Sequence, residues 1–180
     1  MEPAARAGDF LVRLVENQPK SNLLYMVVRD GDEVVSEEAV SGDERCYIFH
    51  VGRDGQFYAP PAVAALFLAK LSEATGNEDY LSAAQLYLNF PETGGSDKYT
   101  SISSGFFGWA AAELYALTGS RNYMQIATNV ADALLANQLE NGSWLQASMS
   151  ADLESDVVDG TAENIIVLRG ITRALAVGAP

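Results

Sequence analysis

The chain repeats itself, and the repeat limits what it can fold into more than any other feature. The stretch from Leu71 through Thr75-Gly76 to Tyr80 returns as Leu114, Thr118-Gly119 and Tyr123 at an offset of 43 residues, and Ala84 returns as Ala127. Each copy reads as a helix, a tight turn and a second helix, and repetition at such a period is the mark of arrays of helical hairpins. The glycine supplies the left-handed position that ends the first helix. Asn77 and Ser120 follow as N-caps of the second. A second self-match, at an offset of 120, sets Leu14, Asn17 and Gln18 against Leu134, Asn137 and Gln138. It makes the first helix another copy of the second helix of each pair.

Apolar periodicity predicts helices over 3–17, 60–75, 78–90, 103–118, 121–139 and 160–176. The segments 23–28 and 33–40, flanking Asp30-Gly31, read as a β-hairpin, and 41–59 as a long irregular connection. Helices at 60–75, 103–118 and 160–176 are apolar nearly all round (Ala62 to Ala69, Phe106 to Ala112, Ile165 to Leu168) and should be buried. The other three are amphipathic. Three apolar helices alternating with three amphipathic ones match the inner and outer helices of an α/α-toroid. The expected fold is therefore mainly all-α: one domain over 1–180, an array of about three helical hairpins with a small β-hairpin near the N-terminus.

Gln138-Leu139-Glu140-Asn141-Gly142-Ser143-Trp144 has the spacing Gln-x-x-x-Gly-x-Trp and resembles the QW motif of the squalene-hopene and terpenoid cyclase toroids. The helix-Thr-Gly-x-x-x-Tyr-helix unit resembles repeats of α/α-toroid enzymes in general, six-hairpin glycosidases and sugar epimerases included. The resemblance spans about 60–176, roughly half a ring. It implies that Gly142 turns the chain while Gln138 and Trp144 tie helix to turn. The sequence departs from the cyclases in lacking their Asp-x-Asp-Asp and aspartate-rich motifs. It also lacks the Cys/His zinc set of the prenyltransferase and lanthionine cyclase toroids.

In toroids the functional mouth lies where the inner helices begin. By position this implies Arg53 to Tyr58, Lys98 to Ser104 and Asp152 to Glu163. Within them Asp159 and Glu163 stand four residues apart, on one face if both are helical. Two close carboxylates shift apart in pKa, which suits an acid beside a base. The helix N-terminus favours ionised Asp159, and Glu163, flanked by Ile165 and Ile166, becomes the candidate acid. The alternative is plain capping by both. His50, the only histidine, is the third candidate catalytic group, or else a histidine held beneath a loop. Tyr58, Gln56, Tyr99, Trp109, Phe106 and Asp156 are the candidate substrate contacts. For the tyrosines the competing role is aromatic packing; Trp144 reads first as structural.

Composition narrows the function. Eleven basic residues against 24 acidic ones, a formal net charge of −13, disfavour nucleic acid and anionic lipid as partners. Cys46 is the only cysteine, so no intrachain disulfide can form, and with His50 alone it cannot build a thiolate zinc site. No metal or cofactor is expected. Neither a signal peptide nor a membrane-spanning run is evident, which reads as cytoplasmic. The expectation is a cofactor-independent enzyme of cyclase or isomerase type, acting on a small molecule in an apolar cavity by carboxylate acid-base chemistry. The alternatives are a carbohydrate-active epimerase, lyase or hydrolase, and a non-catalytic ligand-binding or scaffold module. Half a ring leaves inner-helix surface open, so a homodimer is expected. Native mass spectrometry should return twice the chain mass of 19.3 kDa; a strictly monomeric species at high micromolar concentration contradicts it.

Overall fold

The computed structural model describes residues 2–29, 42–144 and 157–178. Contacts divide the chain, expected as one domain, into two compact units, residues 1–98 and 99–180. Helix dominates both, and a two-stranded antiparallel sheet lies near the N-terminus.

The first unit contains α1 (Glu2–Glu16), β1 (Leu23–Tyr25), a 3-10 turn (Glu44–Cys46), β2 (Ile48–His50), α2 (Ala59–Thr75) and α3 (Glu78–Glu92). α2 and α3 pack along each other as a helical hairpin, and α1 lies against α3 and, less extensively, α2. Small residues make the hairpin tight: Ala62, Ala65 and Ala69 of α2 and Ala83 and Ala84 of α3 are all buried. α3 runs two residues past its expected end at 90, through Pro91. A proline in the last turn removes only one helical hydrogen bond, and Thr93 closes the helix by donating N–H (2.9 Å) and Oγ1 (2.7 Å) to Asn89 O.

The sheet pairs Leu23 with His50, Leu24 with Phe49 and Tyr25 with Ile48. The second strand therefore comes from the segment expected to be irregular, and the expected partner, 33–40, lies outside the described residues. Three residues are too few to register as a period, which is why Ile48–His50 escaped a pattern reading. Gln18 fixes the first strand to the end of α1: its Oε1 accepts from Tyr25 N (2.8 Å), and its Nε2 donates to Leu14 O (2.9 Å) and Tyr25 O (3.2 Å).

The second unit holds α4 (Gly105–Thr118), α5 (Arg121–Ala136) and α6 (Val157–Gly178). α4 and α5 form the matching hairpin, while α6 packs chiefly on α4. The two turns agree bond for bond. Gly76 and Gly119 take φ of +71° and +68°, and each N–H donates to the carbonyl four residues back, Ser72 O and Tyr115 O, at 2.8 Å. Thr75 and Thr118 each close a further carbonyl with the side-chain hydroxyl, Leu71 O at 2.7 Å and Leu114 O at 2.6 Å. The expected caps differ: Asn77 accepts from Asp79 N at 2.9 Å, whereas Ser120 occupies the position without a side-chain hydrogen bond.

α4 is buried on nearly every side, as its composition requires, but α6 is not. Ile165 and Ile166 are 54% and 56% exposed, and Val158 and Val177 also face solvent. α6 meets α4 through glycines. A Cβ on Gly170 would overlap the Trp109 indole, and one on Gly108 would lie 3.1 Å from Ile171 of α6. Gly170→Ala should therefore destabilise the protein by about 1–3 kcal/mol in urea unfolding; an unchanged midpoint would show that the Trp109 ring can withdraw.

Candidate functional site

The candidate residues fall into two settings, one in each unit. In the first unit His50, Gln56 and Tyr58 belong to a clasp between the loop ahead of α2 and the loop after α3. Asp54 Oδ1 accepts from Ser96 N (2.5 Å) and Ser96 Oγ (3.0 Å), and these bonds hold its carboxyl below the usual range. In the other direction Asp97 accepts from Gly55 N at 2.9 Å and from the Tyr58 hydroxyl at 2.5 Å. Gly52 N–H donates to Thr93 O (2.7 Å), and Gly95 N–H to Arg53 O (3.1 Å). The approach is so close that a Cβ on Gly95 would collide with Asp54, and one on Gly94 would stand 2.6 Å from the Tyr58 ring.

Tyr58 and Gln56 are structural parts of that clasp. Tyr58 has no exposed surface, and Phe49 packs edge-on at 5.6 Å. Burial, then the Asp97 carboxylate, raise its phenol well above its ordinary pKa. Gln56 is buried, with Oε1 accepting from His50 N at 2.9 Å. The His50 ring contacts Glu44 at 3.1 Å, and Arg53 donates to the same carboxylate at 3.0 Å. Chiefly through Arg53, Glu44 titrates below its usual range. Imidazole and guanidinium thus share one acid at the surface.

The second unit holds Tyr99, Phe106, Trp109, Asp159 and Glu163. Asp156 lies outside the described residues. α6 begins at Val157, three residues earlier than expected, so Asp159 sits within the first turn rather than at the cap. Asp159 is exposed and Glu163 half-buried. The isoleucines expected to give Glu163 an apolar setting face solvent. Phe106 and Trp109 stack at 6.3 Å, and the Trp109 Nε1 donates to Glu113 Oε1 at 3.0 Å. Glu113 is a buried carboxylate that sequence reasoning passed over, because it stands inside the most apolar helix with no charged neighbour to mark it.

Where α4 begins and α5 ends, a cavity of about 280 Å³ opens. Tyr99, Thr100, Ser101 and Ile102 form one wall, Ala133, Leu134 and Asn137 another, and Leu139, Trp144 and Asn164 complete it. Tyr99 lies parallel to Phe107 at 6.1 Å. The QW-like turn builds the far side. Gln138 Nε2 donates to Gly142 O (2.9 Å), Gly142 takes φ of +86°, and Trp144 Nε1 donates to Leu134 O (2.8 Å). Trp144 N donates in turn to Thr161 Oγ1 of α6 at 3.0 Å. The Asn137 and Asn164 side-chain amides have no hydrogen-bond partner among the described residues. Neither Asp159 nor Glu163 lines this cavity.

Among the described residues no three His, Cys, Asp or Glu side chains gather as a metal site requires, and no helix is long and apolar enough to cross a membrane. Neither a protein-family model, nor a curated protein, nor a solved structure matches this chain.

Three tyrosines report on these contacts. Tyr80 donates to Asp9 at 2.7 Å and Tyr87 to Leu11 O at 3.0 Å; the Asp9 bond raises the first and burial the second, as burial and Asp97 raise Tyr58. A raised folded-state pKa means stabilisation fully present below about pH 10 and lost as pH climbs through the folded values. Phenolate absorbance should show these three of the eight tyrosines ionising late, together with unfolding. Tyr58→Phe should remove one late step and about 1–3 kcal/mol of stability.

Proposed function

We propose that this chain binds a neutral, polyhydroxylated small molecule, a carbohydrate, in the cavity between the start of α4 and the end of α5. The observation that carries this is the chemistry of the lining. Tyr99 and Trp144 supply aromatic surface, and the polar groups are uncharged hydroxyls and amides: Thr100, Ser101, Asn137 and Asn164. An amide offers both donors and an acceptor, as a sugar hydroxyl does, so unpartnered amides match a polyol without the desolvation cost of a charge. At about 280 Å³ the cavity lies near the lower end of small-molecule sites and suits one or two sugar rings.

This lining favours a carbohydrate over the apolar substrate of a cyclase or isomerase, which calls for a greasier wall with the Asp159–Glu163 pair at its edge. The toroid arrangement belongs to the same proposal. It is supported by the matched hairpins and by the packing of α6 on α4, two helices of the apolar class. The exposed Ile165 and Ile166 support the expected homodimer by offering apolar surface.

Thermal-shift measurements with neutral mono- and disaccharides, uronic acids and isoprenoid alcohols test the reading. Neutral sugars should raise Tm by a few degrees, and Asn137→Leu with Asn164→Leu should abolish the rise. Stabilisation by isoprenoids alone, or a sugar effect that survives both substitutions, would overturn it.

A further inference from the structure

A larger cleft lies in the first unit, lined by none of the candidate catalytic or substrate-contact residues. It measures about 430 Å³ and is bounded by the end of α1 and the segment after it, by Val51 beyond β2, and by the last turns of α3. Its surface is apolar: Val15 is buried, Phe90 is half-buried and edge-on to Phe49 at 6.4 Å, and Val51 and Leu86 are 41% and 43% exposed. Around them stand polar groups of two kinds. Some are engaged: Gln18 holds β1, Thr93 caps α3 and Lys20 has an interaction of its own. Glu16, Ser21 and Asn89 have side chains without a hydrogen-bond partner among the described residues.

Negative charge gathers where two helices end beside this cleft, whose lining includes one cation, Lys20. α1 and α3 both finish there, and a helix C-terminus carries a partial negative charge. The Val15 carbonyl lacks its normal helical donor, because the residue four positions on is Pro19, which has no N–H. The Glu16 carboxylate adds a full negative charge at the same place. Apolar walls with a carboxylate and two helix C-termini at one end complement an ammonium group on a hydrophobic body.

We propose that this cleft is a second ligand site, one that takes a small primary ammonium ion with a compact apolar body, such as an aralkylamine. The ammonium lies at Glu16 and the end of α1, with the Asn89 amide oxygen as a further acceptor. The apolar body lies over Val51, Leu86 and Phe90.

Three probes of one shape and different charge test it: 2-phenylethylamine, 2-phenylethanol and 3-phenylpropionate, followed by methyl chemical shifts of Val15, Val51 and Leu86. The amine should bind about tenfold more tightly than the alcohol, the value of one charge-assisted hydrogen bond, and the carboxylate more weakly still. Glu16→Gln should weaken the amine about tenfold and leave the alcohol unchanged, and Leu86→Ser should weaken both. Glu16 and Leu86 are exposed, and circular dichroism checks that each variant keeps its helix content. Equal affinity for all three probes, no perturbation by any of them, or an amine affinity indifferent to Glu16→Gln would overturn the proposal.

Discussion

Everything in the two hairpins depends on how a helix is stopped. A chain that continued through residues 76 or 119 would give one long helix with an apolar side and nothing to bury it against. The left-handed glycine ends the helix within a single residue, and the threonine before it closes a carbonyl that would otherwise be left open. The second helix is then returned along the first, and the two pack along their length. Ala62, Ala65, Ala83 and Ala84 are buried in one hairpin, and Ala110, Ala111 and Ala127 in the other, as small residues in a close-packed interior. The glycines at which α4 meets α6 extend the same rule from hairpin to neighbour.

The parts of this structure that could be read from the sequence are those written in a period. Six helices were expected and six are found among the described residues, with ends displaced by up to three residues. Displacements occur where local bonding overrides pattern: Thr93 carries α3 beyond Pro91, and the bifurcated bond of Asn137 N to Ala133 O and Leu134 O (both 3.2 Å) closes α5 before Leu139. The QW-like turn was legible in detail, because Gln138, Gly142 and Trp144 act on backbone groups of their own segment.

The candidate sites were less legible, for a physical reason. Tyr58 and Gln56 were singled out as polar residues before an apolar helix, yet their partners, Asp97 and the His50 amide, come from elsewhere in the chain. The trace that pointed to the clasp was Gly94-Gly95, a pair of residues without side chains, where another loop approaches too closely for a Cβ. Asn137 and Asn164, the amides that give the second unit's cavity its character, carry no motif at all. Only folding brings the end of α5 and the first turns of α6 to one cavity.

The distribution of aromatic residues has an optical consequence. Both tryptophans, Trp109 and Trp144, belong to the second unit, while five of the eight tyrosines, Tyr25, Tyr47, Tyr58, Tyr80 and Tyr87, belong to the first. Indole emission thus senses one half of the molecule, and the phenol signal is weighted toward the other. A single sample carried through a denaturant gradient yields two curves, and their superposition or separation measures how far the halves unfold as one cooperative body.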